Sequence, residues 1–180
     1  MHRQLLLSKL QNYHAVDAHE TEMQKRITDF VKTHTDCFER TLLAGHITAS
    51  ALILNPLRTR TLLTHHHKLD KWLQLGGHSD GDSDSLNVAL REAEEESGIA
   101  NIHAVSEEIF DVDVHPIPAH KNEPEHFHYD IRFLLEADDA YPLTISNESK
   151  DLAWVALDRI TDYTTEESLL RMVRKIYSPR

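Results

Sequence analysis

Between Gly76 and Ile99 the chain has little freedom in what it can fold into. Gly76-Gly77 leads through His78 into Ser79-Asp-Gly-Asp-Ser-Asp-Ser85, a polar stretch of loop-forming residues. Leu86, Ala89, Leu90 and Ala93 then recur at the three-and-four spacing of a helix face, up to a natural stop at Gly98. A helix here carries Glu92, Glu95 and Glu96 on one side, because residues three and four apart are neighbours on its surface, while Glu94 points elsewhere. Carboxylates held this close repel one another, and a hard divalent cation such as Mg²⁺ or Mn²⁺ removes that cost because oxygen ligands suit it. Taken alone, an acidic helix face is usually just solvated. The rest of the chain has to decide.

The flanking segments read as a layered domain. From Leu5 to about Phe38 the pattern is helical, with Ile27, Phe30 and Val31 on one side, and it divides into two short helices, the second capped by Asp17 or Thr21. His46 to Leu54 is a β-compatible run closed by Asn55-Pro56, and Arg58 to Thr64 supplies a hairpin partner. Beyond the glutamate helix, Ile109–Val114 and Phe127–Leu135 read as strands around a polar loop with Pro116, Pro118 and Pro124, and Ala153–Leu157 as a further strand. Thr164 to Ile176 is a terminal amphipathic helix, acidic at its start and basic at its end as the helix dipole favours. Strands interspersed with few helices predict an α/β layered fold, with residues 1–40 as a helical extension packed on a domain of residues 41–180.

At 180 residues and 40% hydrophobic content the chain can bury one core, so one compact domain is the default. Nineteen Lys and Arg against 30 Asp and Glu leave a formal charge of −11, which repels duplex nucleic acid, and no run of Lys or Arg offsets it. Acidity and a phosphate substrate remain compatible if the carboxylates hold cations. The lone Cys37 excludes an internal disulfide, no signal-like segment opens the chain, and apolar runs such as Ala49–Leu54 fall short of the roughly 20 residues of a membrane helix. A cytoplasmic protein without a membrane span is expected.

The string from Gly77 to Ile99 resembles the Nudix box, G-x5-E-x7-R-E-U-x-E-E-x-G-U with U aliphatic. Arg91, Glu92, Glu95, Glu96, Gly98 and Ile99 match in place, Ala93 stands at the first U, and Gly77 is the opening glycine. The first Glu of the pattern falls on Ser83, a departure; Asp82, after Gly81, reads as a shifted and shortened acid. The resemblance implies a Nudix-type α/β/α sandwich with a mixed central sheet and a hydrolase of phosphoanhydride bonds. It implies Glu95 and Glu96 as principal ligands of Mg²⁺ or Mn²⁺, Glu92 as a further ligand or base, the Gly76 carbonyl as a backbone ligand, and Arg91 as the residue that orients the glutamates. Arg91 and Glu95, four apart, also suit a purely structural salt bridge. Such enzymes often supply another acid late in the sheet, before a tryptophan-containing strand. Here Glu148, ahead of Trp154, is the candidate auxiliary ligand or general base, with Asp151 as its substitute and an ordinary exposed loop residue as the alternative.

The remaining candidates are histidines and one aspartate. His78 and Asp80 follow the Gly-Gly step and are candidates to contact phosphate or metal-bound water, against a plain loop-capping role. His126 and His128 share one strand face, opposite Phe127 and Tyr129, in a substrate-facing segment. His115, His120, Glu123, Glu125, His126 and His128 could together bind zinc if their loop folded back, although no recognised zinc spacing is present. His65, His66 and His67 read as a solvated turn, and Trp72 as core rather than a stacking platform. The expected substrate is a small nucleotide-like diphosphate, and a homodimer is left open. The rivals are a catalytically silent Nudix-fold nucleotide-binding or regulatory module, suggested by Ser83, and an acidic helical interaction protein with no site.

Overall fold

The computed structural model describes residues 2–119, 124–147 and 149–178. Its centre is β1 (Gly45–Leu54), buried along its whole length. On one side β1 runs parallel to β7 (His126–Glu136), with His46 opposite His128 and Ile53 opposite Leu135. On the other it pairs antiparallel, first with β4 (Leu75–His78) and then with β2 (Arg60–His66). The sheet is extended by β3 (Lys71–Leu73) and β8 (Ser149–Ala156) on β2, and by β5 (His103–Ala104) and β6 (Asp111–Ile117) on β7. The β1–β2 turn is tied by Asn55, whose Oδ1 accepts from the Thr59 and Arg60 N–H groups at 2.9 Å each.

Because strand side chains alternate, β1 and β7 present two different faces. Ile47, Ala49, Ala51, Ile53, Ile131, Phe133 and Leu135 face one way, with Val112 and Val114 of β6. They are covered by α1 (Gln4–Asn12), α2 (Ala18–Thr33) and α3 (Ser85–Ser97) through Leu6, Leu10, Ile27, Phe30, Val31, Val88, Ala89 and Ala93. Leu52, Leu54 and Leu134 face the other way, where Leu63, Val155, the 3₁₀-helix Leu157–Asp162 and α4 (Glu167–Tyr177) close a second cluster. This is the expected α/β/α sandwich on a mixed sheet. Asp17 caps α2 by accepting from Glu20 N–H at 2.8 Å, one of the two caps considered from the sequence.

On the α4 side a buried ion network continues the ladder of the sheet. Arg132, 1% exposed, donates to Asp130 at 2.7 Å, Asp113 at 3.2 Å and Asp111 at 3.3 Å. Arg171 of α4 donates to Asp111 at 2.7 Å, and Lys175 lies 2.6 Å from Glu20 of α2. Buried charges persist only when paired and hydrogen-bonded, so this network fixes how α2 and α4 seat on the sheet.

Two local readings change. Gly76-Gly77, read as the entry to a loop, belongs to a strand: Gly76 stands opposite Ser50 and Gly77 opposite Ala49. Glycine is a poor strand former, but a Cβ at Gly76 would lie 2.3 Å from Ser50 Cβ and 2.5 Å from the Ala49 carbonyl, so only glycine permits this pairing. His65 and His66 are strand residues rather than a solvated turn; His65 stacks on Trp72 with centroids 5.0 Å apart, and only His67 lies in the turn. Trp72 is partly buried and packs against the second apolar cluster. Among the described residues no helix is long and apolar enough to cross a membrane.

Candidate functional site

Helix α3 begins where Asp84 accepts from Leu86 N–H at 3.1 Å and Asn87 N–H at 3.3 Å, and ends at Gly98, whose φ of 73° suits a glycine. Packing of Val88, Ala89 and Ala93 beneath β1 and β4 turns the glutamates toward the Gly-Gly strand. Gly76 N–H donates to Glu96 Oε2 at 3.3 Å. A Cβ at Gly77 would sit 2.3 Å from Glu92 Oε2, so the missing side chain is the space this carboxylate occupies. The three glutamates are graded rather than equivalent. Glu96 is 7% exposed, and the side chains of Glu92 and Glu95 are 18% and 65% exposed.

Arg91 ties this set to the strand end. Its Nη2 donates to the His78 carbonyl at 3.0 Å and to Glu92 Oε1 at 2.9 Å, while its Nε lies 4.0 Å from Glu95. The hydrogen bond that Arg91 donates to Glu92, with the charges of Glu92 and Glu95, outweighs desolvation and raises the guanidinium pKa above its ordinary value. The i,i+4 salt bridge is thus present but loose, and the tighter partner is the adjacent glutamate. The carboxylates that reach the Gly76-Gly77 strand, from Glu92 and Glu96, offer oxygen ligands of the kind that suits Mg²⁺ or Mn²⁺.

The other expected residues are placed as follows. Asp80 forms a two-pronged pair with Arg40, at 2.5 Å through Nε, and this hydrogen bond holds its carboxyl below the usual range. Asp82 Oδ1 accepts from Asp84 N–H at 2.9 Å and Oδ2 from Asn87 Nδ2 at 2.8 Å, so it braces the loop entering α3. Glu148 lies outside the described residues. Asp151, its substitute, stands on β8 opposite His65 with its carboxylate accepting from Leu152 N–H at 2.9 Å.

The histidines gather differently from the expected loop set. His126 and His128 do share a face, and His115 stands opposite His128 in register. They are joined by His46 of β1 and His78 of β4. Ring centroids lie 4.8 Å apart for His46–His128, 5.0 Å for His46–His78 and 5.1 Å for His78–His128. Burial, aided by neighbouring imidazoles, pushes the pKa of His46 down to about 4 and that of His128 to about 2. His120 and Glu123 of the expected zinc set lie outside the described residues, and Glu125 is exposed. His46 escaped the sequence reading because it sits in an apolar strand run; its only signal is the parallel pairing of β1 with β7, which local pattern does not reveal.

A sequence model of the NUDIX domain matches residues 45–176. No curated protein matches the sequence. Among solved structures, the chain is similar to an E. coli dihydroneopterin triphosphate pyrophosphohydrolase at 14% identity, over 73% of this chain and 96% of that one, with a TM-score of 0.56. A MutT protein from Methanosarcina mazei is 21% identical, over 76% of this chain and 99% of that one, with a TM-score of 0.54. A C. elegans Ap4A hydrolase is 16% identical, over 73% and 94% of the two chains, with a TM-score of 0.52. At these identities the likeness is one of fold.

Proposed function

The chain belongs to the Nudix domain family, and from that premise we propose that it is a divalent-metal-dependent hydrolase cleaving the phosphoanhydride bond of a small nucleoside-diphosphate-linked substrate. The observation that carries this reading is the convergence of Glu92 and Glu96 on Gly76-Gly77, with Arg91 bridging helix and strand. Glu92 and Glu96 both reach the Gly76-Gly77 strand, and hard carboxylate oxygens are the ligands a divalent cation such as Mg²⁺ prefers. When bound, a divalent cation on Glu92, Glu95, Glu96 and the Gly76 carbonyl supplies neutralisation of charge developing on the phosphoryl oxygens. Arg91 keeps Glu92 in place and anchors the end of β4 through the His78 carbonyl. In hydrolysis the water oxygen bonds to phosphorus, the bridging P–O bond breaks, and a carboxylate, Glu148 or Glu92, takes the water proton. Asp80, acting through its Arg40 pair, is the proposed substrate contact, whereas the rings of His78, His126 and His128 lie on the face of the sheet away from Glu92. A cytoplasmic location suits such a substrate.

The test is a panel of ADP-ribose, a nucleotide sugar, a nucleoside triphosphate, a capped RNA end, Ap4A and dihydroneopterin triphosphate, with Mg²⁺ or Mn²⁺ and with chelator. Metal-dependent release of a phosphate-bearing product is expected from at least one of them. Glu95→Gln and Glu96→Gln should each lower kcat by more than about tenfold, about 1.4 kcal/mol of barrier. A smaller loss in both variants would sink the ligand assignment. Binding of a panel compound without cleavage would favour a silent nucleotide-binding module.

A further inference from the structure

We propose that His46, His78 and His128 form a second metal site, of the Zn²⁺ class, on the sheet face opposite the glutamate helix. Successive residues of a strand point to opposite faces. Gly77 looks toward Glu92, so His78 looks away from it, onto the face shared by His46 and His128. The three residues come from β4, β1 and β7, adjacent strands of one sheet, so their backbones are held rigidly. One ring nitrogen from each lies within 4.8 Å of the others. Zinc–nitrogen bonds of about 2.0–2.1 Å in a tetrahedral site place ligand nitrogens about 3.3 Å apart. Modest rotation of the rings closes that difference.

The independent observation is the state of the imidazoles. His46 is 3% exposed, and neither of its ring nitrogens has a hydrogen-bond partner among the described residues; His128 Nε2 is likewise unpartnered. Buried polar atoms are nearly always satisfied, and a group left without a partner signals an ion or water that belongs there. Imidazole suits zinc and its transition-metal neighbours, whereas Mg²⁺ prefers oxygen, so this site and the carboxylate site select different ions. Three neutral ligands leave a fourth position open, with the rings of His115 and His126 5.6 Å and 5.3 Å from that of His128. His78 belongs to both arrangements, through its ring here and through its carbonyl, which accepts from Arg91.

The experiment uses the full chain stripped with chelator and titrated with Co²⁺ and Zn²⁺ alone. One equivalent of Co²⁺ should give visible d–d absorption that Zn²⁺ abolishes, and Zn²⁺ should raise the melting temperature. His46→Gln and His128→Gln should each weaken Zn²⁺ binding by more than about tenfold, the lower end of what losing even an outer-shell partner costs. Glu96→Gln should leave it unchanged. Equal Zn²⁺ affinity in wild type and both histidine variants would overturn the proposal, since the exposed histidines would then be the binders. Should the variants fold poorly, ¹⁵N spectra of the wild-type imidazoles decide. Zn²⁺ must perturb the rings of His46, His78 and His128, and shifts confined to other histidines would overturn it.

Discussion

A methyl group at position 77 would lie 2.3 Å from Glu92 Oε2 and 2.6 Å from its Cδ, both at the far end of a flexible side chain. Gly77→Ala should therefore fold, because the glutamate can swing aside, and should lose hydrolysis by more than about tenfold, because the displaced carboxylate is the one that Arg91 holds. Circular dichroism and steady-state kinetics on the same sample check this. Normal turnover would remove Glu92 from the site. A second residue-scale expectation concerns the departure at Ser83. Asp82 holds the loop through Asp84 and Asn87 and adds negative charge near Arg91, so Asp82→Ala should reduce activity or Mg²⁺ affinity more than Ser83→Ala does. If Ser83→Glu raised activity strongly while Asp82→Ala left it untouched, the shifted-acid reading would be wrong.

At the scale of elements, α4 is docked on β6 and β7 by charges as well as by Leu169, Met172 and Val173. Burial alone would raise the Asp113 carboxyl, but the His115 hydrogen bond and the charges of Arg132 and Arg171 outweigh it and hold it well below the usual carboxylate range. His19 of α2 also faces it, at 3.8 Å. A folded-state pKa below the unfolded one means that the unfolded chain binds the proton first. The stability from Asp113 is thus complete above about pH 4–5 and is lost as pH falls below that through the folded value. Asp113→Asn should cost about 2 kcal/mol at neutral pH, or roughly 4–8 °C in Tm for a chain of this size. The gap to wild type should close as the pH drops below about 4. Calorimetry from pH 7 to 3 measures it, and a gap that stays constant with pH would assign the loss to packing instead.

For the whole molecule, the question is whether α1 and α2 are an appendage. They precede the matched span of residues 45–176, yet Leu6, Leu10, Ile27, Phe30 and Val31 lie in the same buried cluster as the sheet. Full burial stabilises side chains of this kind by about 1.5–3 kcal/mol each, and their sum rivals the 5–15 kcal/mol typical of a whole domain. A fragment of residues 41–180 should therefore show no cooperative unfolding transition, and a sharp one would make the helices dispensable. The local features were legible without coordinates: the α3 helix with its stop at Gly98, the turn at Asn55-Pro56, the amphipathic α4, and the placing of Glu92 and Glu96 on one face of α3. Helical period, caps and turn chemistry act over a few residues and leave their mark in neighbouring letters. What the glutamates do individually was not legible, because their grading from buried Glu96 to exposed Glu95 depends on how α3 meets β4. The pairing of Asp80 with Arg40, and the meeting of His46 with His128 across the parallel β1–β7 register, were decided only by the tertiary structure. Partners so far apart along the chain meet only when the sheet assembles, and local sequence pattern carries no record of which strands become neighbours.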